Sequence, residues 1–227
     1  MKKYQIIYAD KEVEMEKRIL YFDSDIPSIY FPVGAPETGG TCAFSTKKCR
    51  EYCPSGNSRN GSEAYALKYF LQNDADAITA KIVSDYRVLI KRAYHAKMIQ
   101  WWVWGDCLPE LTEKVCQVIM SINKLGIPQY GFTRNRKLWE LVPAKRDLNI
   151  GYSLDSLKKA KELSYGKMTA CPDYYRGYAR MIFNGHIRSK CNGWWCITEE
   201  GVERNSDCRI CLKKGEGCYS KFVGATQ

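Results

Sequence analysis

Eleven cysteines occur in this chain of 227 residues, and eight of them fall into two groups. Cys42, Cys49 and Cys53 stand at C-x6-C-x3-C spacing in a stretch rich in Gly, Thr, Ser and Lys. Cys191, Cys196, Cys208, Cys211 and Cys218 lie near the C-terminus. Thiolates are soft ligands for zinc and for iron–sulfur clusters. Three thiolates in one loop are one ligand short of a closed tetrahedral site, and an open metal position is where metal chemistry takes place. The second group has enough thiols to close a site completely. Cys196, Cys208, Cys211 and Cys218 are its four expected ligands. Cys191 is spare, and Cys171, which precedes Pro172 at an expected strand end, is a substitute for either Cys191 or Cys196. C-x2-C spacing serves zinc ribbons and iron–sulfur sites alike, so spacing leaves the metal open.

An odd number of cysteines fits poorly with a closed disulfide framework. The N-terminus passes through Ile6 and Ile7 straight into Asp10, Lys11 and Glu12, which is too short and too charged for a signal peptide. No apolar run reaches the length of a membrane span. A cytoplasmic protein with reduced thiols and no membrane partner is the expectation, with metal binding rather than disulfides. Hydrophobic residues make up 45% of the chain, so it can build a full core. The net charge of +10 suits an anionic cofactor, an acidic partner or nucleic acid. The basic residues are scattered, however, as at Arg87, Lys91 and Arg92, or Lys158, Lys159 and Lys161. Solvated helix faces explain them better than a nucleic-acid surface does.

The remaining reactive residues read as structural. Cys116 sits on an amphipathic helix, where a buried free thiol is the ordinary role. Cys107 either faces the mouth of the fold or is buried. His95 and His186 have no partners at ligand spacing. Trp101, Trp102 and Trp104 belong to a strand core, and Trp194 and Trp195 either shield the C-terminal site from water or offer a stacking platform for a base.

These residues need a scaffold, and the hydrophobic pattern supplies one. Strands are expected at 4–8, 18–22, 28–33, 98–104, 129–133, 148–153, 167–170 and 180–183. Helices are expected at 62–71, from Asp74 to about 94, and at 108–125, 137–141 and 155–163. Alternation of strand and helix argues a parallel α/β sheet, a barrel or part of one. In such folds function gathers on loops at the C-terminal ends of the strands. Residues 1–185 are expected to form this unit and 186–227 a cysteine-rich metal-binding segment.

Four strand ends then line up in order. The three-cysteine loop follows the first. Gly105-Asp106-Cys107-Leu108-Pro109 follows the second, Thr133-Arg134-Asn135 the third, and Ser153-Leu154-Asp155-Ser156 the fourth. This order resembles the radical SAM superfamily. There a cysteine loop, a Gly-Gly-Glu-Pro-Leu-like segment, a Thr-Asn-Gly-like end and a Ser-Leu-Asp-like end follow successive strands. More narrowly the chain is similar to a phage and prophage group with a cysteine-rich C-terminus, through Trp104-Gly105-Asp106, Phe132-Thr133-Arg134 and Cys218-Tyr219.

The resemblance spans residues 28–185 and implies a partial (βα)6 barrel with a [4Fe–4S] cluster on Cys42, Cys49 and Cys53. It implies S-adenosylmethionine beside Gly105, Asp106, Thr133 and Ser153, an unidentified substrate and an electron donor. It also tilts the C-terminal metal to an auxiliary iron–sulfur cluster over zinc. Two features depart from the family pattern. The loop is C-x6-C-x3-C rather than C-x3-C-x2-C, and a single glycine precedes an Asp where the family has Glu. The alternatives are a cluster protein of this fold without SAM activity and a zinc-stabilised nucleic-acid-binding protein.

Overall fold

The structure is a computed structural model that describes residues 5–8, 11–14, 17–23, 26–53, 61–91, 98–145, 147–173, 178–191, 196–197 and 203–204. β1 (Gln5–Tyr8) and β2 (Lys11–Glu14) form a two-stranded antiparallel sheet. The other described strands make one mixed sheet of ten. They are β3 (Tyr21–Asp23), β4 (Ile26–Ser28), β5 (Ile99–Trp101), β6 (Gln129–Thr133), β7 (Leu148–Ser153) and β8 (Thr169–Asp173). β9 (Tyr178–Phe183), β10 (His186–Cys191), β11 (Cys196–Ile197) and β12 (Glu203–Arg204) complete it. The strands lie side by side in chain order. β4 to β8 are parallel to one another, and the strands beyond them on either side are antiparallel.

Helices connect the parallel strands, as they must where one parallel strand follows another. α1 (Lys47–Glu51), α2 (Gly61–Gln72) and α3 (Ala75–Leu89) precede β5. α4 (Thr112–Lys124), α5 (Arg136–Leu141) and α6 (Leu157–Leu163) lead into β6, β7 and β8. Side chains cap the starts of α3, α5 and α6: Asp74 accepts from Ala77 N, Asn135 from Leu138 N, and Ser156 from Lys159 N. α4 ends before Gly126, whose φ of +72° reverses the chain. Among the described residues no helix is long and apolar enough to cross a membrane.

The sheet has two unlike faces. Ile29, Phe31, Ile99, Trp101, Leu148 and Ile150 join one buried core with α2, α3 and α4. On the same side of the later strands, Cys171 and Ile182 pack with Ala160 of α6. The alternate residues Ile26, Met98, Tyr130, Phe132, Ala170 and Met181 form two smaller clusters that contain no helical residue. Among the described residues, one face is therefore helix-covered and the other is not. That arrangement and the sequential strand order mark a singly wound parallel sheet rather than a doubly wound one.

Several boundaries differ from the sequence expectation for local reasons. The strand expected at 98–104 stops at Trp101, because Trp102 takes a left-handed φ of +49° that breaks the ladder. The strand expected at 28–33 loses regular pairing after Ser28, yet Ile29 N still donates to Gln100 O and Phe31 N to Trp104 O. The strand expected at 167–170 begins at Thr169 and runs on to Asp173. β2, β10, β11 and β12 were not expected. Their sequences are short or charged, and pairing with neighbours defines them rather than apolar periodicity. The β9–β10 hairpin carries the sheet across residues 185–186.

Candidate metal centre

The cysteine loop leaves the end of β4 and folds back onto it. Thr41 N donates to Pro32 O at 2.9 Å, Cys42 N to Gly34 O at 2.8 Å, and Ser45 N to Cys42 O at 3.0 Å. Thr46 caps α1 by accepting from Cys49 N at 3.1 Å. Cys42 thus precedes the helix, Cys49 lies in its body and Cys53 just beyond its end. None of the three is paired in a disulfide among the described residues, and each is partly buried.

A buried threonine ties this loop to the next strand end. The Thr41 hydroxyl donates to Pro32 O at 2.9 Å and accepts from Asp106 N at 3.0 Å. Gly105 lies at the crossing with a φ of +77°. A Cβ there would sit 2.6 Å from Phe31 O and 2.7 Å from Thr41 Oγ1, so only glycine fits.

Asp106 is the hub of the strand ends. Its Oδ1 accepts from Cys107 N at 2.7 Å and from Thr133 Oγ1 at 2.5 Å, and its Oδ2 from Arg134 N at 2.8 Å. An ionised carboxylate offers about four acceptor positions, and three are taken here by the protein itself. Burial pushes the Asp106 carboxyl up to about 6, against the pull of those three donors and the Arg134 charge. Asn135 braces the same junction. Its N–H donates to Thr133 Oγ1 at 2.9 Å, and its Nδ2 to Thr112 Oγ1 at 2.8 Å and to Cys107 O at 3.4 Å. Farther along, Arg134 Nη2 meets Asp155 Oδ1 at 2.6 Å, which joins the end of β6 to the end of β7.

The loop and the hub share one electrostatic neighbourhood. Burial is the main cause that pushes the Cys42 thiol up to about 11, and Asp106, Cys49 and Cys53 add to it. A thiol and a carboxyl that burial keeps from ionising, with two further thiols on the same loop, suit a cation, which reverses this balance and deprotonates coordinating thiols. Among the described residues no three Cys, His, Asp or Glu side chains are gathered into a ready-made cage. The thiols are neighbours on one loop, and their softness and partial exposure suit iron or zinc.

The other expected site residues are distributed as follows. Thr133 is buried with its hydroxyl committed to Asp106 and Asn135. Ser153 ends β7 in register with Ala170, on the helix-free face. Cys107 is fully buried and its thiol donates to Leu108 O at 3.4 Å, so it does not open to the mouth. Cys116 packs at the edge of the main core. Cys208, Cys211, Cys218, Trp194, Trp195 and His95 lie outside the described residues. Cys191 and Cys196 are described through their backbone, where they are direct partners in the β10–β11 ladder. Thr41, Asn135 and the Arg134–Asp155 pair were missed by sequence reasoning. The last three stood inside the quoted strand-end segments. Nothing local distinguishes Thr41 from the other hydroxyls of the loop. No protein-family model, curated protein or solved structure matches this chain.

Proposed function

We propose that this chain is an iron–sulfur protein built as a radical-SAM-like partial barrel, with a [4Fe–4S] cluster on Cys42, Cys49 and Cys53. Its activity is reductive cleavage of S-adenosylmethionine to start a radical reaction on an unidentified substrate. The observation that carries this reading is the bond between loop and hub: Asp106 N to Thr41 Oγ1, one residue from Cys42. Through it the cysteine loop, Gly105-Asp106, Thr133-Arg134 and Asp155 meet at the C-terminal ends of adjacent parallel strands. Function collects at those ends in parallel α/β folds.

Cys42, Cys49 and Cys53 would hold the cluster by three thiolates, leaving one iron open to S-adenosylmethionine, and an external electron donor would supply the reducing chemistry through it. The chain's own residues bind and orient. Gly105 lets backbone approach without a side chain in the way. Ser153 offers a half-buried hydroxyl on the helix-free face. Asp106 holds the strand ends in register and keeps one acceptor position on Oδ2 for an ammonium.

One observation favours the second reading, a cluster protein of this fold without SAM activity. Three internal hydrogen bonds already occupy Asp106, so its evident task is structural. Anaerobic calorimetry with SAM, followed by dithionite reduction and a search for 5′-deoxyadenosine, separates the two. Binding with deoxyadenosine formation supports the enzyme. Cluster-replete protein that does neither is the non-SAM protein, and colourless zinc protein removes both.

A further inference from the structure

The helix-free face of the sheet carries a row of polar side chains. Ser28 of β4 is the register partner of Gln100 on β5, Gln100 of Tyr130 on β6, and Tyr130 of Asn149 on β7. Partners across a parallel ladder point to one face. Ile29 follows Ser28, Ile99 and Trp101 flank Gln100, and Leu148 and Ile150 flank Asn149, and all five belong to the helix-side core. The polar row therefore points the other way. Ser28 and Asn149 are buried, with Ser28 Oγ donating to Ile26 O at 2.9 Å and Asn149 Nδ2 to Lys145 O at 3.1 Å. Gln100 and Tyr130 are half-buried. Gln100 Oε1 lies 3.4 Å from the Ser28 hydroxyl, and no described residue accepts from its Nε2.

Nearer the strand ends the same face is aromatic. Ile29 N donates to Gln100 O, but Phe31 N donates to Trp104 O, so β5 bulges past the single residue Tyr30. Trp102 takes its left-handed φ of +49° within this bulge and packs into the helix-side core against Trp101. Its indole N–H is buried there without an acceptor. Backbone strain and an orphaned donor in one residue are costs that collect beside functional sites. The bulge brings Trp104 onto Tyr30, edge to face at 5.2 Å. Tyr30 stands between Ile29 and Phe31, which both face the helices, and so lies on the helix-free side. On the other flank is Phe132. A Cβ at its partner Gly151 would sit 2.8 Å from the Phe132 ring, so that ring leans over β7.

We infer that Gln100 and Tyr130, between the Tyr30–Trp104 pair and Phe132, form a binding site for a neutral planar heterocycle, the uncharged base of a nucleoside. The polar row and the aromatic row above it hold no charged side chain, so a charged group buried against them would lack a counter-ion. Aromatic walls favour a planar ring. Gln100 Nε2 offers a donor to a ring nitrogen or carbonyl, and Oε1 keeps a second lone pair for an N–H of the same base. Carboxamides read base edges in this way. Ser153 is four residues beyond Asn149, about 13 Å along the strand, so the site lies below the strand ends that carry Asp106, Thr133 and Ser153. It names the class of the unidentified substrate and in that respect rests on the proposed function, but it uses none of the cysteines.

The test titrates adenosine, guanosine, cytidine and uridine separately, by calorimetry, into full-length protein purified anaerobically. At least one should bind saturably, and glucose, neutral but not planar, should not. Gln100→Leu removes the donor and should weaken that nucleoside about fivefold or more, since the base acceptor is left unpaired. Gln100→Glu keeps an acceptor facing Ser28 but loses the donor and adds a charge, and should weaken it further. If neither variant folds, Trp104→Leu decides: weakened binding supports the site and the parent's affinity overturns it. Binding of none of the four nucleosides, unchanged affinity in both Gln100 variants, or binding of glucose in their place would each overturn the inference. Loss of SAM binding in Gln100→Leu would put Gln100 in the SAM site and overturn it as well. Nucleoside binding without deoxyadenosine from SAM keeps this site and removes the enzyme. Deoxyadenosine without nucleoside binding keeps the enzyme and removes this site.

Discussion

The hydroxyl of Thr41 takes the backbone N–H of Asp106 at 3.0 Å across 65 residues of chain and gives its own proton to Pro32 O. One side chain thereby joins the end of β4, the start of the cysteine loop and the end of β5. Thr41→Val removes both bonds at constant shape and leaves the Asp106 N–H without this partner, while Pro32 O keeps its bond from Thr41 N. An orphaned buried N–H costs about 1–3 kcal/mol. Urea denaturation should show Thr41→Val destabilised by at least that much and Thr41→Ser far less. Equal losses would mean that the methyl, not the hydroxyl, holds the junction.

Gly105 and Gly126 have nearly the same backbone, with φ of +77° and +72°, but unlike surroundings. Alanine at either position meets the left-handed penalty of about 1–2 kcal/mol. At Gly105 it also collides with Phe31 O and Thr41 Oγ1, whereas nothing lies within 4 Å at Gly126. Gly105→Ala should lose several kcal/mol, or fail to fold, while Gly126→Ala folds with the smaller loss. Comparable melting temperatures for the two variants would contradict this crowding.

Burial raises the Asp106 carboxyl to about 6 from an ordinary 3.8. The folded state then holds this proton more tightly than the unfolded chain. Its contribution is fully present below about pH 4 and falls as pH rises towards 6. The gap corresponds to about 3 kcal/mol. Metal lost in acid acts in the opposite direction, so the comparison with Asp106→Asn isolates the carboxyl. Unfolding free energies between pH 4 and 7 should converge on the variant's as pH rises, if the variant keeps its fold. A parent-minus-variant difference that is flat with pH would show that Asp106 stays ionised throughout.

Arg134 and Asp155 meet at 2.6 Å, with side-chain exposures of 11% and 23%. A partly buried pair between two strand ends exceeds a surface ion pair in value. A double-mutant cycle with Arg134→Met and Asp155→Asn should return a coupling of about 1 kcal/mol or more. A value near zero would reduce the pair to a surface contact.

Replacing Cys42, Cys49 or Cys53 singly by Ala should remove one cluster's worth of iron and leave the C-terminal metal in place. Iron analysis with electron paramagnetic resonance of the reduced protein checks this. Unchanged iron in all three variants would reassign the loop.

Much of the scaffold was legible in the chain. Apolar residues at helical spacing marked α3 and α4, and Asp74 marked the start of α3, which its side chain caps. These are local properties, set by residues three or four apart, so the sequence carries them on its own. The order of the strand-end segments was legible for the same reason, as each segment simply follows its strand. What the tertiary structure decided is how distant pieces meet. No local signal says that Thr41 reaches Asp106, that Asp106 spends three acceptor positions on its own neighbours, or that Arg134 pairs with Asp155. Nor does spacing along the chain say that Ser28, Gln100, Tyr130 and Asn149 share one row of the sheet. Side-chain direction in a strand alternates with every residue, so ladder register alone settles the face, and register exists only when the strands pair.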